Sequence, residues 1–90
     1  RPAAVLTASI VLESNSDIVL ICPLSTKSRS QYAGLHIELS PRGKLYKTSF
    51  SLIEHCRSIS SKRITSEKLG QLTADELSQI LSHLQCIVGL

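Results

Sequence analysis

Asp17-Ile18-Val19-Leu20-Ile21-Cys22-Pro23-Leu24-Ser25-Thr26-Lys27-Ser28-Arg29 is the stretch that decides the fold of this chain. Asp17 to Leu24 is an unbroken apolar run rich in β-branched residues, which predicts a strand buried on both faces or a barrel stave. Two hydroxyl residues, Ser25 and Thr26, follow at its mouth, and the cations Lys27 and Arg29 come just behind. Polar groups at the end of a rigid strand are held in fixed geometry. The hydroxyls alone suit a plain strand-end cap, and the neighbouring cations tip the reading toward an anionic ligand. Arg1-Pro2, at the head of another apolar run, adds a guanidinium at the start of a second strand. Hydroxyl, guanidinium and ammonium together compose a site for a phosphodiester.

The flanking sequence reads as further strands. Ala3 to Ser9 is small and apolar, and Ile10 to Ser16 ends in a loop composition. Ser25 to Gly34 is a polar, cationic loop. Leu35-His36-Ile37-Glu38-Leu39 alternates, with Leu35, Ile37 and Leu39 inward. Ser40-Pro41-Arg42-Gly43 is a turn in which Gly43 accepts positive φ. Leu45 to Ile53 is extended. Glu54 to Ser60 alternates again, with His55, Arg57 and Ile59 on one face and Glu54, Cys56 and Ser58 on the other. Ser61 to Ser66 is a basic connector, and Glu67 to Leu72 is a short strand. Thr73-Ala74-Asp75-Glu76 is a capping box that starts a helix. Leu77, Ile80, Leu81, Leu84, Ile87 and Val88 form its apolar stripe, with His83 off it. Six strands at hairpin-like spacing and one C-terminal helix predict a mainly β (α+β) domain: a small antiparallel barrel or curled sheet closed by the helix.

Ninety residues make one domain, 1–90. A chain this short buries only about 60–65% of its unfolded surface, so a dimer is expected. The chain starts at Arg1 and has no Met, so an N-terminal segment is expected ahead of it. No apolar run is long enough to span a bilayer. Net charge is +3, but nine Lys/Arg against three Glu between Lys27 and Lys68 concentrate +6 in the middle of the chain. That is the footprint of a polyanion-binding face or of a solvated basic surface. The three Cys have no short spacing and imply no disulfide framework. Cys22 and Cys86 are expected as buried thiols in a reducing cytoplasm. His36, His55 and His83 are scattered, and no Cys/His pair has zinc-like spacing, so no metal site is expected. A Gly-x-Ser-x-Gly elbow, a phosphate-binding glycine loop and a dinucleotide fingerprint are all missing from the sequence.

Five blocks carry a resemblance. They are Arg1-Pro-Ala-Ala-Val-Leu, Leu20-Ile-Cys-Pro-Leu-Ser-Thr-Lys-Ser, Gln31-Tyr-Ala-Gly-Leu-His-Ile-Glu-Leu, Glu54-His-Cys-Arg-Ser-Ile and Leu69-Gly-Gln-Leu-Thr-Ala-Asp-Glu-Leu. In this order and spacing the chain resembles the MazF/PemK (Kid-like) toxins of type II toxin–antitoxin modules, over nearly all of its length. The resemblance implies an SH3-like antiparallel barrel with a C-terminal helix, whose first strand and loop would precede Arg1. It also implies a homodimeric, cytoplasmic bacterial toxin that cuts single-stranded RNA at short motifs without a metal or other cofactor (an mRNA interferase), held in check by a MazE/PemI-like antitoxin.

By the same resemblance, Arg1 stands where the family has its catalytic Arg before a Pro. Ser25 stands at the catalytic Thr after a Pro-x pair, with Thr26 next to it and able to replace it if the register slips by one. Lys27, Arg29, Glu54, His55 and Arg57 fall on the RNA groove. Glu54-His55 departs from the Asp-Gln common in the family. The implied chemistry is attack of the 2′-hydroxyl on the adjacent phosphate, giving a cyclic phosphate or 3′-phosphate and a 5′-hydroxyl. Arg1 would stabilise phosphoryl charge, and His55 is a further candidate for moving the proton. Two other readings stand beside this one. One is a non-catalytic toxin of the same fold that binds protein, as the CcdB gyrase poisons do, although those use a C-terminal Trp and this chain has none. The other is a catalytically inactive member that only binds RNA.

Overall fold

The computed structural model describes residues 2–7, 17–27, 34–64 and 68–89. Five strands lie in one antiparallel sheet: β1 (Ala3–Val5), β2 (Ile18–Ser25), β3 (Ile37–Leu39), β4 (Ser49–Ser51) and β5 (Arg57–Ser60). Their order is β1-β2-β4-β3, with β5 also on β2. The helix α1 spans Ala74–Ile87.

β2 is the spine. It meets β1 along one edge and both β5 and β4 along the other, with β5 against Ile18 to Ile21 and β4 against Leu24 and Ser25. Pro23 sits at the changeover. It has no N–H to give to a ladder, and β5 pairing stops short of it. Its carbonyl still accepts from Leu52 N–H at 2.9 Å. The chain between β4 and β5 turns here as a 3₁₀ segment, Ile53–His55. Both faces of β2 are used, as the sequence implied. Cys22 and Leu24 face the main core, and Val19 and Ile21 are buried on the other side.

That core joins Ala4, Cys22, Leu24, Ile37, Leu39, Ile53 and Ile80, with Leu6, Cys56, Leu72 and Leu84 packed against it. Burying one such side chain stabilises the fold by about 1.5–3 kcal/mol. The helix begins where expected: Thr73 Oγ1 accepts from Glu76 N–H at 3.1 Å, and Glu76 Oε1 accepts from Thr73 N–H at 2.9 Å. Arg42 bonds the same Glu76 carboxylate through both of its terminal nitrogens, and it donates to Ser40 O at 2.9 Å and Gln71 O at 3.2 Å. One guanidinium therefore clamps the β3–β4 turn onto the helix N-terminus. Gly43 in that turn has φ +51°. A Cβ there would lie 2.5 Å from Leu69 O, so the turn admits only glycine.

Several expectations need correction. Residues 68–72 form no strand. They dock on the turn through Lys44 N–H to Leu69 O at 2.7 Å instead of pairing with a ladder. Five strands, not six, are present among the described residues, and the sheet is curled but not closed into a barrel. The alternation over Glu54 to Ser60 begins only at Arg57, because Ile53–His55 is a 3₁₀ turn. Only Ile80 of the helix stripe is fully buried, while Leu81, Ile87 and Val88 are exposed. Cys86 is exposed too, on the helix side away from the sheet core. The latter part of the Ala3–Ser9 strand and the loop to Ser16 lie outside the described residues.

Candidate active site

The hydroxyl pair stands where the strand pairing predicts. Ser25 ends β2, half-buried, directly opposite Phe50 of β4. Its Oγ accepts from Lys27 N–H at 3.1 Å, a local turn that fixes the hydroxyl. The remaining Ser25 lone pair and its O–H stay available to a ligand. Thr26 and Lys27 are exposed one and two residues on. The start of β1 lies alongside, since Leu24 N–H donates to Pro2 O at 3.1 Å. Arg1, bonded to Pro2, lies outside the described residues, and so does Arg29.

The β4–β5 connection brings in the acidic and basic candidates. Glu54 lies within the 3₁₀ turn beside Pro23. Both of its carboxylate oxygens are 2.9 Å from His36 Nε2, which donates to them. The His36 side chain is only 2% exposed. Burial pushes the Glu54 carboxyl up. The His36 hydrogen bond, a backbone hydrogen bond and the nearby His36 and His55 charges outweigh it, and the net displacement is downward. Glu54 is therefore a fixed anion at neutral pH, an acceptor rather than a proton donor. His55 beside it is exposed. Arg57 opens β5 opposite Ile21 and is also exposed.

Strand parity sorts these groups. Ser25 has the parity of Ile21 on β2, and Arg57 stands directly opposite Ile21, so Ser25, Phe50 and Arg57 share one face of the sheet. Four residues of strand, roughly 13 Å, separate the Ser25 and Arg57 positions along β2. The helix and Cys22 lie on the opposite face. Ser25, Thr26 and Lys27 thus lie at the C-terminal end of β2, Arg57 stands opposite its middle, and Glu54 and His55 lie in the turn that joins β4 to β5. Among the described residues no group of three or more His, Cys, Asp or Glu side chains is arranged to hold a metal.

Two members of this neighbourhood escaped the sequence reading. Phe50 gave no signal of its own, because its place opposite Ser25 depends on a pairing between distant strands. His36 read as an outward residue of an alternating strand. It turns in to hold Glu54, and only the partner eighteen residues away explains that.

A family model described as the PemK-like, MazF-like toxin of type II toxin–antitoxin systems matches residues 1–88. Among curated proteins, no sequence matches the chain significantly. Solved structures share the fold. Mycobacterium tuberculosis toxin MazF-mt6 superposes with a TM-score of 0.85 at 18% identity, over 100% of this chain and 87% of that one. The MazE–MazF complex (Form-I) of Deinococcus radiodurans superposes at 0.80 with 22% identity, over 100% and 83%. The MazF of the same organism (Form-I) does so at 0.78 with 23% identity, over 100% and 77%.

Proposed function

Because this chain belongs to the PemK-like, MazF-like toxin family of type II toxin–antitoxin systems, we propose that it is an endoribonuclease that cuts single-stranded RNA by internal transesterification. The observation that carries the reading is the strand-end hydroxyl of Ser25, fixed over a sheet face that also carries Phe50 and Arg57. In the proposed reaction the scissile phosphate lies against Ser25 and Thr26. The ribose 2′-hydroxyl attacks the phosphorus, the bond to the 5′-oxygen breaks, and a 2′,3′-cyclic phosphate and a 5′-hydroxyl result. Water can then open the cyclic ester to a 3′-phosphate.

Each residue has a distinct part. Arg1 offers two parallel N–H donors to the phosphoryl oxygens, where charge grows in the transition state. Ser25 orients the phosphate or the 2′-hydroxyl, and Thr26 is its neighbour at the mouth. In this reading His55 moves protons, a task for which Arg1 is unsuited because guanidinium stays protonated. Lys27 and Arg29 hold phosphates near the cut. Arg57, roughly 13 Å along the strand, suits a phosphate further from it. Glu54, an anion that accepts only, suits a base edge that presents N–H donors. Phe50 offers a face for a base beside the scissile bond.

Residues 1–90 act in this reading as one domain. The active form is a cytoplasmic homodimer, neutralised by a MazE/PemI-like antitoxin whose acidic, partly disordered tail crosses the basic groove. The MazE-bound relative supports such a partner. No helix among the described residues is long and apolar enough to cross a membrane.

The test is incubation of the full-length protein with a long single-stranded RNA in EDTA, followed by mapping of both new ends. Discrete cuts with 5′-hydroxyl ends are expected, and Arg1→Ala abolishes them while the fold persists. Intact RNA at high protein concentration would falsify the nuclease reading and point to a toxin that only binds.

A further inference from the structure

The register of β2 against β5 runs from Ile18 opposite Ser60 to Ile21 opposite Arg57. Cys22 and Cys56 are the next residues beyond that last pair, and continuation of the register by one step sets them opposite each other. Asp17 O and Pro23 O accept from Ser61 and Leu52, so odd-numbered residues of β2 turn their backbone polar groups toward the β4–β5 edge. Leu20 O and Leu24 N–H bond Leu6 and Pro2, so the even-numbered residues turn theirs toward β1. Cys22 is even-numbered. Cys22 and Cys56 therefore come directly after the last paired residues, Ile21 and Arg57, and a non-hydrogen-bonded pair continued in that register brings opposite Cα atoms to about 4.5 Å, where side chains come closest. That lies within the range of about 4.4–6.8 Å that a disulfide requires. Both residues belong to one core, Cys22 fully buried and Cys56 packed against it, and the two thiols interact with each other.

We propose that Cys22 and Cys56 are a paired dithiol modification site, which closes to a cross-strand disulfide by exchange with a small-molecule disulfide such as oxidised glutathione. Cys56, half-buried, is the group the reagent meets first. Its thiolate attacks one sulfur of glutathione disulfide, forming a mixed disulfide and expelling one glutathione thiolate, which takes up a proton. Cys22 then loses its proton and attacks Cys56 Sγ, and the second glutathione leaves as the thiol. Two protein thiols are oxidised by two electrons, and one glutathione disulfide is reduced to two glutathiones.

Burial, the Cys56 thiol and the Glu54 charge all push the Cys22 thiol up, and burial does most to raise Cys56. Both groups are protonated at neutral pH, so exchange is slow in either direction, and a bond once formed is sheltered from reductant. Cys86, exposed on α1, has no opposite cysteine. Cys56 lies between His55 and Arg57, so the bond would pin the segment that carries both. That consequence rests on the RNA reading, whereas the disulfide itself does not.

The test equilibrates the full-length protein in glutathione buffers from fully reduced to fully oxidised. Remaining thiols are then alkylated in denaturant and the protein is digested without reduction for mass spectrometry. The expected product is a Cys22–Cys56 linked peptide, lighter by two hydrogens than its parts, that grows as the buffer becomes more oxidising, while Cys86 carries a glutathione adduct. Cys56→Ser removes the linked peptide and keeps the Cys86 adduct. Recovery of Cys22 and Cys56 as alkylated thiols at the most oxidising ratio, or linkage of either to Cys86, overturns the proposal. RNA cleavage is not read, so the result is independent of the nuclease assignment.

Discussion

Ser25 and Thr26 are adjacent hydroxyls, and strand geometry separates them. Ser25 is the last paired residue of β2 and shares a face with Phe50 and Arg57, whereas Thr26 lies past the ladder and is exposed. A hydroxyl held by pairing and by the Lys27 amide loses little freedom when it meets a phosphate. Ser25→Ala is therefore expected to cut kcat by about 10²–10³, the loss typical of one oriented hydrogen-bonding group, with Thr26→Ala costing far less. Single-turnover cleavage of a fluorescent RNA separates them, and equal losses would remove the preference for Ser25. Glu54 depends in the same way on a neighbour. Without His36 its half-buried carboxylate loses its partner while the cost of burial remains, so His36→Ala raises the Glu54 pKa and lowers stability by about 1–3 kcal/mol. The check is a carboxyl-detected NMR titration of Glu54 beside a urea melt. An unmoved titration would show that His36 does not hold the carboxylate down.

At the scale of elements, α1 is tied to the sheet by one core residue and one clamp. Ile80 is the only fully buried residue of the helix, and the Arg42–Glu76 contact joins its first turn to the β3–β4 turn. Hydrogen bonds from Arg42 lower the Glu76 pKa to about 2, against an opposing effect of burial, and the Thr73 bonds add to the lowering. A folded pKa below the unfolded one gives stability that is complete above about pH 4.5 and is lost as pH falls toward 2. With the pair partly open to solvent, that amounts to about 1–3 kcal/mol. Urea midpoints measured from pH 7 to pH 2 should fall more steeply for the native chain than for Glu76→Gln, and parallel curves would count against the clamp. The capping box, the Gly43 turn and the doubly buried β2 were legible because each is written in neighbouring residues. The clamp was not, since Arg42 and Glu76 are thirty-four residues apart. The 3₁₀ turn at Glu54–His55 was hidden for a similar reason. Its cause is Pro23 on another strand, so the local alternation of residues 54–60 read as one continuous strand. Leu69 and Leu72 read as a strand because they are apolar, but the Leu69 carbonyl is taken by Lys44 in the β3–β4 turn and Leu72 packs against the core.

For the whole molecule the question is which of its cations an RNA would meet. The +6 between Lys27 and Lys68 overstates the free charge, because Arg42 spends its guanidinium on Glu76 and on backbone carbonyls. Arg57 is exposed on the face that carries Ser25. Two arginines of one chain thus make opposite predictions. Arg57→Ala removes a phosphate contact, so the slope of log affinity for single-stranded RNA against log salt should become shallower by about 0.7, with the fold untouched. Arg42→Ala should leave that slope unchanged and lower the melting temperature, because it removes the clamp rather than a contact. Fluorescence anisotropy with a short RNA across a salt series, paired with thermal melts, reads both. If Arg42→Ala flattens the slope as much as Arg57→Ala does, the RNA path runs over the β3–β4 turn as well, and the basic face is broader than the end of β2.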